Sequence, residues 1–575
     1  MAATGNNDRD PRAMATRLNH ALGRPLRVLH VGNIANNAYH NARLLNQIGI
    51  ESSVIAYDYY HIMGCPEWED ADFDGGFGDQ FRPDWSQVNL QNFQRPRWFA
   101  QGPRSICIAY LIARCRGWDR RAQTLWRWLE YAGRLRPGSR FKMSSLARQL
   151  RAQIPPWWLK PSDPDLNQPN DGRVQPALAP RSITARLRPV AAPLKRVLLR
   201  LRPVAARLKR VLLPYELPPQ PKISGGFNHD VLAEFCREFP QRPPLNDADL
   251  AAYNAVISEW RELFQEYDVV LAYSTDPILP YLAGVPYLAL EHGTLREIPY
   301  QDSVTGRLTA LAYRRAAHVF VTNSDCLDSA RWLAGNRVSL INHPYDDRHA
   351  AAIGGVQKWR DTLRTRLDAN FLVFFPTRHD WVAGTGYADK ANDVFLRAFG
   401  RLRAAGHRVG MVCCAWGSNI EESRDLLASL DCSAHVEWVE PMGTVKFERT
   451  AMACDIVADQ FKLGAFGGVT FKALAAGVPV LTHLDPTLFN AQFPMPPVLN
   501  CQSTEAIHEG LLSLLRDPAA LQALGRHSRE WVDRHHNADT LLALEIEQFA
   551  QLVGVDLNQA VAPPTLGQKL TSSGS

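Results

Sequence analysis

The stretch GAFGGVTFKALAAGVPVL (residues 464–481) decides how the rest of the chain is read. It opens on a tight glycine turn, continues as a short apolar helix, and passes through Gly-Val-Pro into a buried strand. The first N–H groups of a helix lack partners inside the helix, and the aligned peptide dipoles place about half a positive charge at that end. Gly467 and Gly468, just before the helix, therefore leave backbone donors open to an anion. The bland alternative is a glycine turn that serves close packing.

Working outward, the same strand-turn-helix rhythm recurs on both sides. FLVFFPT (residues 371–377), VGMVCCAWG (409–417), VEWVE (436–440), DIVADQF (455–461) and PVLTHL (479–484) read as strands with helices between them. Upstream, YDVVLAY (267–273), VPYLALEHG (285–293), HVFVTN (318–323) and VSLINHP (338–344) form a second series, and RVLHVG (27–32) with SSVIAY (52–57) opens the chain in the same manner. Short apolar runs alternating with helical patterns predict parallel sheets covered by helices, so the expected class is α/β with two doubly wound, Rossmann-like domains. The expected division is a disordered lead over residues 1–24, a first domain over 25–345 interrupted by an insertion at about 58–225, a second domain over 346–555, and a disordered tail over 556–575.

At 575 residues the chain exceeds one ordinary core. Its net charge of +6 is unevenly spread: residues 173–215 hold eleven basic and no acidic side chains, which leaves the remainder at −5. In this segment LRPVAAPLKRVLL (187–199) recurs as LRPVAARLKRVLL (201–213). In the second copy Val204, Leu208, Val211 and Leu212 share one helical face, a pattern suited to an anionic membrane surface over residues 185–214 or to a solvated linker. The segment lacks interleaved aromatics, which argues against nucleic acid. The ten cysteines form no C-x-x-C pair and read as reduced thiols of a cytoplasmic protein, peripheral on a membrane at most. The first twenty residues have no apolar h-region and no window reaches 18 apolar residues, so neither a secretory leader nor a membrane span is expected.

Ligands of doubly wound sheets gather outside the carboxyl ends of strands. After the first strand come Gly32 and Asn33. After VPYLALEHG's apolar run come Glu291 and His292, two titratable groups at a strand end. After FLVFFPT come Arg378, His379 and Asp380, with Lys390 further on in YADKAND. A forked guanidinium and a mobile ammonium before a helix suit a diphosphate. Each motif alone also fits an ordinary turn, a backbone-bonded core histidine or a solvated charged loop.

Taken in order, these features resemble the family 4 glycosyltransferases. There the segment matching residues 464–481 reads roughly E-x-F-G-x-x-x-x-E-A-x-A-x-G-x-P-V, an Arg and a Lys matching PTRHDW…KAND hold the donor diphosphate, and a histidine matching that of EHG lies in the active site. The resemblance covers roughly residues 25–60 and 265–550. It implies a GT-B fold, two Rossmann-like domains facing a cleft with a large basic insertion in the first, and transfer of a sugar from a nucleotide-sugar donor to an acceptor hydroxyl, with retention, on a glycan or lipid-linked acceptor. It implies His292 and Glu291 as catalytic groups, and Gly32, Asn33, Arg378, Lys390, Asp459, Gly467, Gly468 and Lys472 around the donor. No metal or other cofactor is expected. Both family glutamates are replaced, by Gly464 and Lys472; an ammonium has donors only, whereas a carboxylate accepts from two ribose hydroxyls. Asp459, in nearby ADQF, is the candidate replacement carboxylate. The opposed reading is a degenerate GT-B scaffold that binds a partner or a membrane without catalysis.

Overall fold

The computed structural model describes residues 9–134, 230–382, 389–465, 467–489 and 494–559. The basic segment and its tandem repeat lie outside the described residues, as do Phe466 and the tail from residue 560.

Two parallel sheets form the architecture. The first contains β1 (Arg27–Val31), β2 (Glu51–Tyr57), β3 (Phe99–Gly102), β4 (Val269–Tyr273), β5 (Leu288–Glu291), β6 (His318–Val321) and β7 (Val338–Leu340), in the order β3-β2-β1-β4-β5-β6-β7. The second contains β8 (Phe371–Phe375), β9 (Val409–Cys414), β10 (Val436–Val439), β11 (Ile456–Ala458), β12 (Val480–Thr482) and β13 (Leu499–Asn500), in the order β10-β9-β8-β11-β12-β13. Every strand pair is parallel. The reason is visible in β4 and β8, whose five residues each are all buried. Helices cover both faces, so neither face can carry polar side chains. The chain is thus two doubly wound α/β units. In each sheet the strand order reverses once, between β1 and β4 and between β8 and β11.

Three boundaries differ from expectation. The supposedly disordered lead contains α1 (Pro11–Leu22). Asp10 caps it, accepting from the amides of Arg12 at 3.2 Å and Ala13 at 3.3 Å, Pro11 takes the first turn, and Gly23 closes it. Met14, Ala15 and Leu18 are its buried face. The excursion after β2 is not a peripheral insertion at its start: β3 completes the sheet edge, and the helix Arg104–Cys115 packs its apolar face on that sheet. Finally, α6 (Ala538–Leu552), expected within the second domain, returns to the first. Its Leu541, Leu542, Ile546 and Phe549 are buried in one cluster with Met14 and Leu18 of α1 and with Ala38, Ala42 and Leu45 of α2 (Asn37–Gln47). At about 1.5–3 kcal/mol for each large side chain buried, this helix ties the end of the chain firmly to the opening βαβ unit.

Candidate active site between the two sheets

In the second domain Thr377 and Arg378 follow β8, and Asp459 and Gln460 follow β11, side by side. Asp459 is buried and both carboxylate oxygens are used: Thr377 Oγ1 donates to Oδ1 at 2.8 Å and Thr470 Oγ1 to Oδ2 at 2.7 Å. It fixes the loop carrying Arg378 to the first turn of α5 (Gly468–Ala475). Lys390 Nζ donates to Gln460 Oε1 at 2.7 Å, and Gln460 Nε2 donates to the carbonyl of Ala465 at 2.6 Å, which holds the glycine loop. Burial lowers the Lys390 pKa, Asp459 acts the other way, and Arg378 and Arg296 lower it further. Arg296 belongs to the first domain, so the carboxyl ends of the two sheets face one another here. Arg378 is about half exposed (48%) and its one ion pair among the described residues, with Asp380, is long at 3.6 Å. The Arg378 charge reaches His61, whose pKa is lowered first by burial and then by that charge.

Gly467 caps α5 with no side-chain hydrogen bond and an extended φ of −118°. A Cβ built on Gly467 or Gly468 would meet nothing within 4 Å. Neither backbone conformation nor a neighbour among the described residues requires glycine at these two positions. Gly464 is different. Its φ is +79° and a Cβ would lie 3.0 Å from Cβ of Asp485, so a glutamate there is disfavoured by conformation as well as space.

Lys472 does not face the diphosphate position. Its ammonium donates to Thr444 Oγ1 at 2.6 Å and to Glu69 Oε2 at 3.1 Å, and lies 5.7 Å from the ring centre of Tyr345. Glu69 stands on α3 (Pro66–Asp70) of the first domain, and Thr444 opens α4 (Thr444–Ala453) of the second. The buried Glu69 also meets His40 Nε2 at 3.1 Å and accepts from Asn36 Nδ2 at 3.2 Å. Although burial pushes the Glu69 carboxyl up, Lys472, His40 and Thr444 together hold it well below the usual range. Further along, Arg449 pairs with Asp72 through both terminal guanidinium nitrogens (Nη1 to Oδ1, 3.0 Å) and Lys446 with Asp74 at 2.6 Å. The acidic run EWEDADFD (67–74) is therefore a strap of the first domain laid on the basic face of α4 and α5.

The first domain contributes the opposite wall. His292 follows β5; burial, with help from Arg296, lowers it to about 4, so its imidazole is neutral near pH 7. Its Nδ1 lies 3.4 Å from Thr322 Oγ1, and its ring meets that of His343 edge-on at 5.7 Å. Glu291 is fully buried, neither carboxylate oxygen has a well-formed hydrogen bond, and its pKa is raised by burial. It points into the domain, against Cys326, rather than beside His292 as expected. Asn33 is likewise internal: Nδ2 donates to Asn36 Oδ1 at 2.8 Å and to the Gly64 carbonyl at 2.9 Å, and Oδ1 accepts from the Tyr39 amide at 3.1 Å. It locks the loop after β1 and does not offer a donor contact. Gly32, with φ +87°, ends β1.

The structure thus brings together Arg378, Lys390 and, through Asp459, the start of α5, and Arg296 of the first domain acts on both Lys390 and His292. The structure withdraws Asn33, Glu291, Asp459 and Lys472 into supporting roles. Sequence reasoning missed Arg296, three residues beyond Gly293; inspection of every strand end would have found it. Among the described residues no group of three His, Cys, Asp or Glu side chains is arranged to hold a metal ion, and no helix is long and apolar enough to cross a membrane.

No family model matches the chain, and no curated protein matches it in sequence. Among solved structures, it is similar to Anabaena Alr3699/HepE in complex with UDP and glucose (15% identity, TM-score 0.43, 52% of this chain and 83% of that one). It is similar to a sucrose-phosphate synthase from Thermosynechococcus elongatus (16%, 0.39, 54% and 80%) and to S. aureus MnaA with UDP (15%, 0.36, 54% and 84%). At TM-scores below 0.5 these likenesses add no weight, and the fold stands on the two sheets themselves.

Proposed function

We propose that the protein is a glycosyltransferase of GT-B type, moving a sugar from a nucleotide-sugar donor to an acceptor hydroxyl. The observation that carries this reading is the convergence of Arg378 and Lys390 beside a glycine-lined helix start, with Arg296 approaching from the facing domain. Cleavage of a sugar–phosphate bond puts charge on the departing diphosphate. Preorganised cations and helix-start amides aimed at that charge lower the barrier without a protein nucleophile. Lys390, with its pKa depressed yet hydrogen-bonded to Gln460, is a fixed point charge, and the exposed fork of Arg378 is the adaptable one. Neutral His292 would hold a sugar hydroxyl or the acceptor as a hydrogen-bond partner rather than act as an acid. Attack from the leaving-group face would give retention.

The loss of both family glutamates changes the wiring and leaves the phosphate chemistry in place. Lys472 is consumed by the strap, where it meets the Glu69 carboxylate supplied by the other domain. The non-catalytic scaffold would account for the replaced glutamates but gives no role to the two cations, Arg378 and Lys390, set close to one another at the strand ends. The test is release of nucleoside diphosphate from a panel of UDP-, GDP- and ADP-sugars. Turnover of at least one donor, reduced about 10- to 100-fold in Arg378→Ala, is expected from the loss of a charge-assisted hydrogen bond of about 1.5–3 kcal/mol. No turnover of any donor, or turnover indifferent to Arg378→Ala, would overturn it.

A further inference from the structure

The chain leaves the first domain after β7 to enter the second, and it returns from the helix Pro518–His535 into α6. One ion pair holds both passages. Asp347, in the first, is 5% exposed. Its Oδ1 accepts from the amide of Ala538, which opens α6, at 2.9 Å, and its Oδ2 accepts from Arg529 Nη2 at 2.7 Å. Arg529 Nη1 donates to the Asp347 carbonyl at 2.6 Å, and Asp533, one turn on in the same helix, orients the guanidinium by accepting from Nη2. Beside this pair the passages meet directly, Asn342 Nδ2 donating to the Asn537 carbonyl at 3.3 Å.

The same guanidinium reaches α5. Arg529 Nη1 also donates to the carbonyl of Ala475, the last residue of α5, at 2.7 Å. A cation there complements the negative end of the helix whose positive end opens the diphosphate cradle. Two glycines bring the helix Pro518–His535 close to this end: Gly477 has φ +70°, and a Cβ on Gly525 would lie 2.6 Å from the Gly477 carbonyl oxygen. The side of α5 is wedged between the passages. The Phe471 ring meets Tyr345 edge-on at 5.6 Å and His343 at 6.2 Å in the first, and His536 at 5.6 Å in the second. His343 in turn meets His292. At 1.5 Å per residue α5 is only about 12 Å long. One short, rigid element thus has its start in the cradle and its end on the Arg529–Asp347 pair.

We infer that Arg529 and Asp347 are positioning residues for the donor site: they set the register of the start of α5, with Arg378 and Lys390, against Arg296 on the facing domain. This rests on the glycosyltransferase reading and deepens it by naming what aligns the two halves of that site. Both residues lie at the far end of α5 from the cradle and act through the helix and the passages. The fork is needed because its acceptors point in different directions: the end of α5, the backbone of the first passage and the carboxylate that holds the second. Lysine, a single point donor, cannot serve all three. A contact that served stability alone would leave the cations of the two domains independent of each other. A register set by this pair makes the contribution of Arg296 depend on residues 529 and 347, and energetic coupling of this kind is what a double-mutant cycle reads.

The experiment is calorimetric titration of the full chain with UDP, GDP and ADP, on the wild type, Arg296→Ala, Arg529→Lys, Asp347→Asn, and each of the last two combined with Arg296→Ala. For the tightest diphosphate, Arg296→Ala is expected to weaken binding about tenfold in the wild type, the scale of one charge-assisted hydrogen bond, and less than twofold in the Arg529→Lys and Asp347→Asn backgrounds. Each positioning variant alone is expected to lose about the same tenfold and to keep the remaining affinity through Arg378 and Lys390, which is also the control that it folds. Asp347→Asn leaves the bonds of Arg529 to the Ala475 and Asp347 carbonyls in place and is the milder of the two. Equal losses on Arg296→Ala in all three backgrounds, or no loss in the wild type, overturn the assignment. Hydrogen exchange on the ligand-free chain reads the same pair without a ligand: Asp347→Asn should speed exchange over residues 341–349 and 535–541 together, and a change confined to one passage overturns it. If the wild type binds none of the three diphosphates, the donor reading itself falls, and the exchange result decides whether the pair joins the passages.

Discussion

Lys472→Met tests the strap that joins the two domains. The substitution keeps the length of the side chain and removes its charge, leaving Glu69, whose side chain is 3% exposed, without its main counter-charge. Breaking a buried ion pair from one side costs about 3–5 kcal/mol, because the remaining charge stays desolvated. His40, Asn36 and Thr444 still reach Glu69, so the lower end, about 3 kcal/mol, is expected at pH 8. The pH dependence follows from linkage. His40 is pushed down by burial and further by Arg43 and Lys472, while Glu69 raises it. Without Lys472 both His40 and Glu69 bind protons more readily in the folded state, and their unfolded values are unchanged. The folded variant then holds more protons than the folded wild type, so its deficit narrows as pH falls from 8 to 6. Urea unfolding followed by tryptophan fluorescence reads both effects. Glu69→Gln with Lys472→Met should cost less than the sum of the two single changes, since neither then leaves a stranded charge. A single variant within about 0.5 kcal/mol of wild type, typical of an exposed ion pair, or strict additivity of the pair, would refute a buried interdomain tie.

Three further outcomes follow from the same geometry. Gly467→Ala and Gly468→Ala should leave stability unchanged or raised by up to about 1 kcal/mol, since a Cβ meets no atom of the described residues within 4 Å, yet weaken diphosphate binding by filling the approach to the helix-start amides; thermal melts with and without ligand separate the two effects. Asp276 has a folded pKa of about 7 against 3.8 ordinarily, so between those values the folded state holds a proton that the unfolded state has released. Stability conferred by this group is therefore lost as pH rises from about 4 to 7, and Asp276→Asn should gain on wild type across that window by up to about 4 kcal/mol, because each tenfold change in an ionisation constant is worth about 1.4 kcal/mol; urea midpoints across that pH range check it. Asp459→Asn should destabilise by about 1–3 kcal/mol, because an amide cannot accept from both Thr377 and Thr470 at once; urea midpoints for the variant and for Thr470→Val test it.

The fold was legible wherever strands are buried on both faces. VVLAY and FLVFF can be little else, and the turn-helix segments between them set a parallel order. Elements whose composition is not apolar escaped. β3, with sequence FAQG, is buried only because the helix Arg104–Cys115 covers it, a fact about tertiary packing. α1 carried its caps in plain view, Asp-Pro at one end and Gly at the other, but its buried face is only one narrow stripe. In the site, cations next to strand ends could be found from pattern alone. The partner of Lys472 could not, since Glu69 lies 403 residues away in sequence and is brought near only by closure of one domain on the other. Asn33, Glu291 and Asp459 occupy strand ends as predicted, yet which way a side chain turns there depends on neighbours from other strands.

The most direct test of the central claim is calorimetric titration of the full chain with nucleoside diphosphate, monophosphate and free nucleoside of one base, chosen from UDP, GDP and ADP by thermal shift. A site built from Arg378, Lys390 and the start of α5 should bind the diphosphate at least tenfold more tightly than the monophosphate, and Arg378→Ala should erase that preference. Equal affinity for all three ligands, or a preference that survives Arg378→Ala, would contradict the account.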